Sequence, residues 1–352
     1  IISNNSFIKK LSENSIWIFA CGYFACYVPY SLMTKLLSKG LIRSLNGQSL
    51  AGFSILPVSG IATLITMLIF ITSMGWWKYA SHTKIMGLNI PHPTRWTFLS
   101  GLCTSLIIGT TTLAYTFEGV SIVFAMLLMR GGVLIIAPII DAISKRHVRW
   151  FSWAGLFGAM CALLVSLVDT DGYNIPLLCA IVILIYIASY FIRFQFMSKL
   201  AKTEKRETNL RYFVEEQMVS TPTLVIILAL TAILGRGEIS DAVRFGFSAH
   251  WRMPYLWAVI FIGVFSQGTG IFGTLVFLDK SENTYCIPIN RASSILAGVI
   301  ATYLLTMYPN QHAPYTSQLI GAGFIVISIL FMSIPPMLDN QKTMLKHTEQ
   351  SK

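Results

Sequence analysis

The chain has 352 residues, 54% hydrophobic and only 12% charged, with a mean hydropathy of +0.65. Soluble domains carry about twice that share of charge, so a soluble globular fold is excluded and a multi-pass membrane protein is expected. The net charge of +11 sits in short segments between apolar runs, where it sets topology; it is not a nucleic-acid footprint.

Apolar runs of about twenty residues, the length needed to cross a bilayer as a helix, recur ten times: 16–34, 50–73, 96–117, 119–143, 150–168, 175–197, 212–234, 256–278, 284–306 and 316–337. The first follows Lys9 and Lys10 as a signal sequence would, but it is too long for an h-region and has no small-x-small cleavage site, so it reads as the first span. All ten are expected to be helical, because an open strand edge in lipid leaves backbone groups unsatisfied. Glu118-Gly119 forms the turn between spans 3 and 4.

The segments between spans are short. Trp76, Trp77, Tyr79 and Trp96 flank the loop after span 2 as an aromatic belt. Lys199–Arg211 reads as a solvated basic loop. Gly237–Pro254 carries Ile239, Val243 and Phe247 at helical spacing, with Ser240 as an N-cap candidate, which suits a short interfacial helix. Lys and Arg number 17 on the side holding both termini and 6 on the other, so both termini are expected in the cytoplasm. A bacterial inner membrane and an organelle membrane fit equally.

Arg130 and Arg291 lie alone in the middle of spans 4 and 9, twelve residues after Glu118 and Asp279 respectively, and match at an offset of 161 residues. A charge at mid-bilayer costs roughly 2.5–3.5 kcal/mol on insertion scales, so each arginine is expected to face a cavity or a partner. Five spans per half is an odd number, so the halves run in opposite directions. The expected architecture is an all-α 5+5 inverted repeat, residues 1–170 and 171–352, the second ending in a cytoplasmic tail. That is the signature of an alternating-access transporter.

Small residues follow each arginine (Gly131-Gly132 and Ala292-Ser293-Ser294), which lets helices approach and turns the guanidinium toward a cavity. Its planar fork suits phosphate or carboxylate; an architectural tie to a neighbouring helix is the competing reading. Glu118 and Asp279, at span ends, are candidates for gating or hinge positions. Glu216 and Gln217, in the first turns of span 7, are candidates for the mouth of a cavity or for carrying a proton. Gln267, Gln195 and Arg193 are weaker lining candidates. Gly268–Gly273 matches G-x-G-x-x-G but lies inside an apolar span with no preceding strand, so helix packing or a hinge is the better account.

The six cysteines show no framework or zinc spacing, the histidines are scattered, and no nucleophile-and-base set assembles. No metal, cofactor or enzymatic activity is expected.

The layout resembles the drug/metabolite transporter superfamily, with ten spans in a 5+5 repeat. Three stretches resemble its nucleotide-sugar and triose-phosphate branch. Ile289-Asn290-Arg291 followed by Ala297-Gly298 is similar to G-A-L-N-K followed by A-G, with arginine for lysine. Glu215-Glu216-Gln217-Met218-Val219-Ser220-Thr221-Pro222 is similar to F-Y-N-N-x-x-S-x-P, with Glu216 and Gln217 replacing the asparagine pair. Arg130-Gly131 and the later Asp141 resemble the branch's span 4. The resemblance implies that Asn290 and Arg291 contact a phosphate or sugar, and that the replaced pair alters recognition of a base.

The expected function is secondary transport, in the bilayer, of a small anionic metabolite such as a phosphorylated sugar or nucleotide derivative, by exchange. The alternative is a proton-coupled exporter of amino acids or amphipathic cations working through Glu216.

Overall fold

The computed structural model describes residues 15–85, 88–117, 120, 122–143, 150–168, 176–201, 205–279, 283–309, 311–328 and 330–331. Its helices are α1 Ser15–Ser38, α2 Gly52–Ser73, α3 Arg95–Ala114, α4 Ile122–Ile143, α5 Trp150–Val168, α6 Leu177–Leu200, α7 Arg206–Leu234, α8 Glu238–Ser248, α9 Leu256–Phe277, α10 Asn283–Leu305 and α11 Thr316–Ser328. Among the described residues, eight of these (α1 to α4, α6, α7, α9 and α10) are long and apolar enough to cross a membrane. They coincide with eight of the expected spans, and the protein is an all-α multi-pass membrane protein in outline. The turn at Glu118-Gly119 lies outside the described residues.

Five of the long helices contain proline: Pro29, Pro57, Pro138, Pro222 and Pro288. Proline removes a backbone donor and frees a carbonyl one turn back. Packed neighbours and nearby hydroxyls make that tolerable inside a membrane helix. Hydroxyls here bond backbone widely, as where Thr63 Oγ1 donates to Ser59 O at 2.8 Å and across helices to Gly263 O at 3.0 Å.

Helix α1 packs on α9 and α10, and α3 packs on α6 and α7. Helix α2 contacts α7, α8 and α9, while α4 contacts α5, α6 and α10. Glycine permits the closest of these approaches. A Cβ on Gly263 would lie 2.3 Å from Ser59 O on α2, and one on Gly268 would lie 2.7 Å from Cys26 Sγ on α1. Gly268 therefore acts as a packing glycine, as its context in an apolar span implies.

The loop after α2 is a β-hairpin, β1 Ser81–Ile85 paired antiparallel with β2 Leu88–His92. Sequence reading had only an aromatic belt there. Trp76 is in fact buried against Phe70 and Phe213, with ring centroids 5.3 and 5.6 Å away, whereas Trp96 is exposed. One carboxylate staples both ends of the hairpin to α7. Glu215 accepts from Ser81 N and Oγ (3.0 and 2.7 Å), Thr94 N (3.1 Å) and Thr97 Oγ1 (2.8 Å), and pairs with Arg211 at 2.9 Å. Asn209 donates to Leu278 O at 3.1 Å and Asn283 to Asp141 at 3.0 Å. The hairpin and the α6–α7, α9–α10 and α4 ends thus gather at one end of the bundle, here called the hairpin end.

At the far end, Lys35 donates to Phe117 O and Val120 O (3.1 and 2.8 Å), and Lys39 donates to Gln311 at 2.5 Å. The segment expected to form a short helix does so as α8, with Val243 buried and Ile239 exposed. Its N-cap is Gly237, at φ 89°, and not Ser240, which is buried against Gly235. Arg244 bonds Ala232 O and Gly235 O (2.6 and 2.7 Å), satisfying carbonyls at the end of α7.

Candidate functional site

Three arginines are buried in the centre of the bundle. Arg130 on α4 is 2% exposed, Arg193 on α6 is 3% and Arg291 on α10 is 0%. Their surroundings differ.

Arg193 has a counterion. Its Nε and Nη2 grip both oxygens of Glu216 on α7 at 2.7 Å each, and Nη2 also donates to Thr274 on α9 at 2.9 Å. Glu216 further accepts from Ser100 (2.7 Å) and Thr104 (3.0 Å) on α3 and from Tyr212 (3.2 Å). The pair therefore joins α3, α6, α7 and α9, with every charge satisfied.

Arg130 and Arg291 have none. Arg130 donates through Nη1 to the Tyr186 hydroxyl and through Nη2 to the Tyr27 hydroxyl. Arg291 donates through Nη1 to the same Tyr186 oxygen at 3.2 Å. Two guanidiniums from opposite halves of the chain thus converge on one phenol oxygen. Among the described residues neither forms an ion pair. Arg291 Nε and Nη2, Arg130 Nε and both amide atoms of Asn290 are buried without a hydrogen-bond partner.

The difference is chemical as well as geometric. Nε and Nη2 form the side fork of a guanidinium, which matches two oxygens of a carboxylate or phosphate. On Arg193 that fork is filled by Glu216; on Arg291 neither fork atom meets an acceptor in good hydrogen-bond geometry, and the Tyr190 phenol is the neutral group beside it. Aromatic faces shelter the charge: Arg291 lies 4.5 Å from the Tyr190 centroid and 5.3 Å from Phe277, and Arg130 lies 5.2 Å from Tyr27. Such contacts help a desolvated cation by about 2 kcal/mol, less than a full counterion would.

Arg130, Asn290, Arg193, Gln217 and Gln267 line one cavity of about 60 Å³. Gln267 Nε2 donates to Gln217 Oε1 at 3.0 Å. Small-molecule sites span roughly 300–1,000 Å³, so the cavity as it stands is several times smaller than such a site. Of the residues singled out in the sequence, Arg130, Arg193, Asn290, Gln217 and Gln267 line this cavity; Arg291 does not line it, and joins the cluster through the Tyr186 hydroxyl that it shares with Arg130. Glu216 does not itself line the cavity, but it bonds Arg193 and Thr104, which do. Asp279 follows the end of α9 at the hairpin end and is not among the residues that line the cavity, and Glu118 lies outside the described residues.

The tyrosines of the site carry no charge to mark them in an apolar span. Tyr23, Tyr27 and Tyr30 share one face of α1, and Tyr186, Tyr190 and Arg193 share one face of α6, at the i, i+4, i+7 spacing of a helical stripe. The stripes repeat at an offset of 163 residues, close to that of the arginines, and this signal could have exposed the site. Their last members make matching contacts. Tyr30 bonds Thr112 on α3 at 2.8 Å, at the far end; Arg193 bonds Thr274 on α9, at the hairpin end.

No protein-family model matches the chain, and no curated protein matches it. Its fold is similar to that of a solved protein crystal structure with 13% sequence identity, covering 88% of this chain and 95% of that chain, at a TM-score of 0.52.

Proposed function

We propose that this protein is a secondary transporter of a small anionic metabolite. The observation that carries the reading is the unpartnered side fork of Arg291, buried beside a second cation that, like it, has no counterion among the described residues. Two uncompensated guanidiniums in a low-dielectric interior attract an anion strongly. A phosphorylated sugar or nucleotide derivative suits the fork, with Asn290 and the Gln217–Gln267 pair offering neutral donors and acceptors beside it. Exchange follows, because two bare cations resist crossing between open states without an anion.

The proposed architecture is ten spans in a 5+5 inverted repeat, with α5 and α11 as the fifth and tenth spans and the hairpin end in the cytoplasm. The packing supports it. Exchanging α1 with α6, α2 with α7, α3 with α9 and α4 with α10 converts the α1–α9 contact into α6–α3, α2–α9 into α7–α3 and α1–α10 into α6–α4; the α4–α10 and α2–α7 contacts map onto themselves. The charge distribution between spans sets the orientation.

Thermal unfolding of the detergent-purified protein against phosphosugars, nucleotides, amino acids and amines tests the reading. A ligand at 100 times its Kd stabilises by about 2.7 kcal/mol. Stabilisation by phosphorylated ligands, absent in Arg291→Ala, is expected. Stabilisation by amines or amino acids that survives Arg291→Ala would move the assignment to a proton-coupled exporter.

A further inference from the structure

The geometry points to Arg193 as a third ligand of the transported anion, which takes the place of Glu216 on the Arg193 fork as the hairpin end opens. This inference rests on the anion-transport reading above.

Arg193 lines the same cavity as Arg130 and Asn290. It also shares two aromatic neighbours with Arg291. The Arg193 guanidinium lies 6.0 Å from the centroids of both Tyr190 and Phe277, and Arg291 lies 4.5 and 5.3 Å from the same rings. The two guanidiniums therefore flank the same two rings.

The position is that of a gate. Helices α6 and α7 make little other contact, so the Arg193–Glu216 pair is the main tie between them. Tyr30, which matches Arg193 in position, makes a neutral contact at the other end of the cleft, to Thr112. A hydroxyl pair separates readily, since water replaces each bond. An ion pair sealed from water does not, because each charge left alone in the interior is strongly disfavoured. An incoming oxyanion removes that obstacle on the arginine side by filling the fork that the carboxylate vacates. Glu216 keeps the donors from Ser100, Thr104 and Tyr212. Opening at the hairpin end then depends on an anionic cargo.

The test measures binding of radiolabelled inorganic phosphate to the full-length purified chain. Glu216→Gln removes the competing charge and is expected to tighten phosphate binding about tenfold, equivalent to one ion-pair competitor of modest strength. Arg193→Gln combined with Glu216→Gln is expected to return affinity to the wild-type level or below. Glu216→Asp keeps the charge but shortens its reach, and is expected to tighten binding less; it decides the matter if Glu216→Gln does not fold. A purely structural pair would give weaker or unchanged binding in the Glu216 variants, and that result overturns the proposal. Loss of binding in Arg291→Gln with neutral Glu216 variants leaves the anion site standing and removes only the role of Arg193. Phosphate binding that survives Arg291→Gln, or is absent from every variant, overturns the anion reading and this inference with it.

Discussion

The two ends of the central cleft are tied at matching helix positions by different chemistry. At the far end Tyr30 meets Thr112, hydroxyl to hydroxyl, at 2.8 Å; at the hairpin end Arg193 meets Thr274 and carries a full ion pair with Glu216. Between them Arg130 and Arg291 have no carboxylate among the described residues. Among the described residues only one of the three buried guanidiniums is thus paired with a carboxylate, and the side chains that close the two ends differ although they occupy matching helix positions. The site that is incomplete is the middle one.

The largest expected effect breaks the hairpin-end tie. Glu216→Ala leaves Arg193 buried and unpaired, and should destabilise the protein by about 3–5 kcal/mol, read as thermal unfolding in detergent. Replacing both partners with leucine should recover most of that loss. A Glu216→Ala variant as stable as wild type would mean that the two ends do not differ.

Acid should weaken the far end next. His250 is buried with both ring nitrogens unpartnered, edge-on to Phe245 and Tyr255 at 5.1 and 5.4 Å, and desolvation pushes its pKa down to about 4. Above the ordinary value of about 6.5 the ring is neutral in both folded and unfolded states. As pH falls below that, the unfolded chain takes a proton that the folded one refuses. Stability should therefore drop between about pH 6.5 and 4, by up to about 3 kcal/mol, and level off below. His250→Phe should flatten this slope in a pH series of melting curves.

Arg291 sharpens the comparison by separating stability from function. Its fork is unpartnered among the described residues, so Arg291→Met should change stability by less than about 1 kcal/mol or raise it. Anion binding should fall by 2 kcal/mol or more, about thirtyfold, in a titration with phosphorylated ligands. Strong destabilisation by this substitution would make Arg291 an architectural tie. The smallest effect belongs to the neutral tie: Tyr30→Phe should lose about 0.5–1.5 kcal/mol in the same unfolding assay, well short of the ion-pair loss.

Much of the helical layout was legible in the chain. Hydropathy is a local sum, so each apolar run announces its own helix, and eight coincide with helices that meet the length and hydropathy of a span. The isolation of Arg130 and Arg291 was legible for the same reason, since a charge amid twenty apolar residues stands out without knowledge of its neighbours. Harder to see was the hairpin of 81–92, whose strands are anchored by Glu215, more than 120 residues later in the chain. The tyrosine stripes were present as i, i+4, i+7 patterns, but aromatic residues in apolar spans read as lipid-facing or core until a second helix is placed against them.

The amino-acid sequence by itself determined that this chain forms long membrane helices and that two arginines would be buried, because both follow from the local balance of apolar and charged residues. Only the tertiary structure decided which arginine keeps a counterion. Glu216 reaches Arg193 rather than Arg291 because the facing sides of α6 and α7 bring them within 2.7 Å. Arg130 and Arg291 meet on the phenol of Tyr186 because α4, α6 and α10 turn those faces inward. Pairing of buried charges depends on helix rotation and packing across the bundle, and no local property of the sequence encodes it.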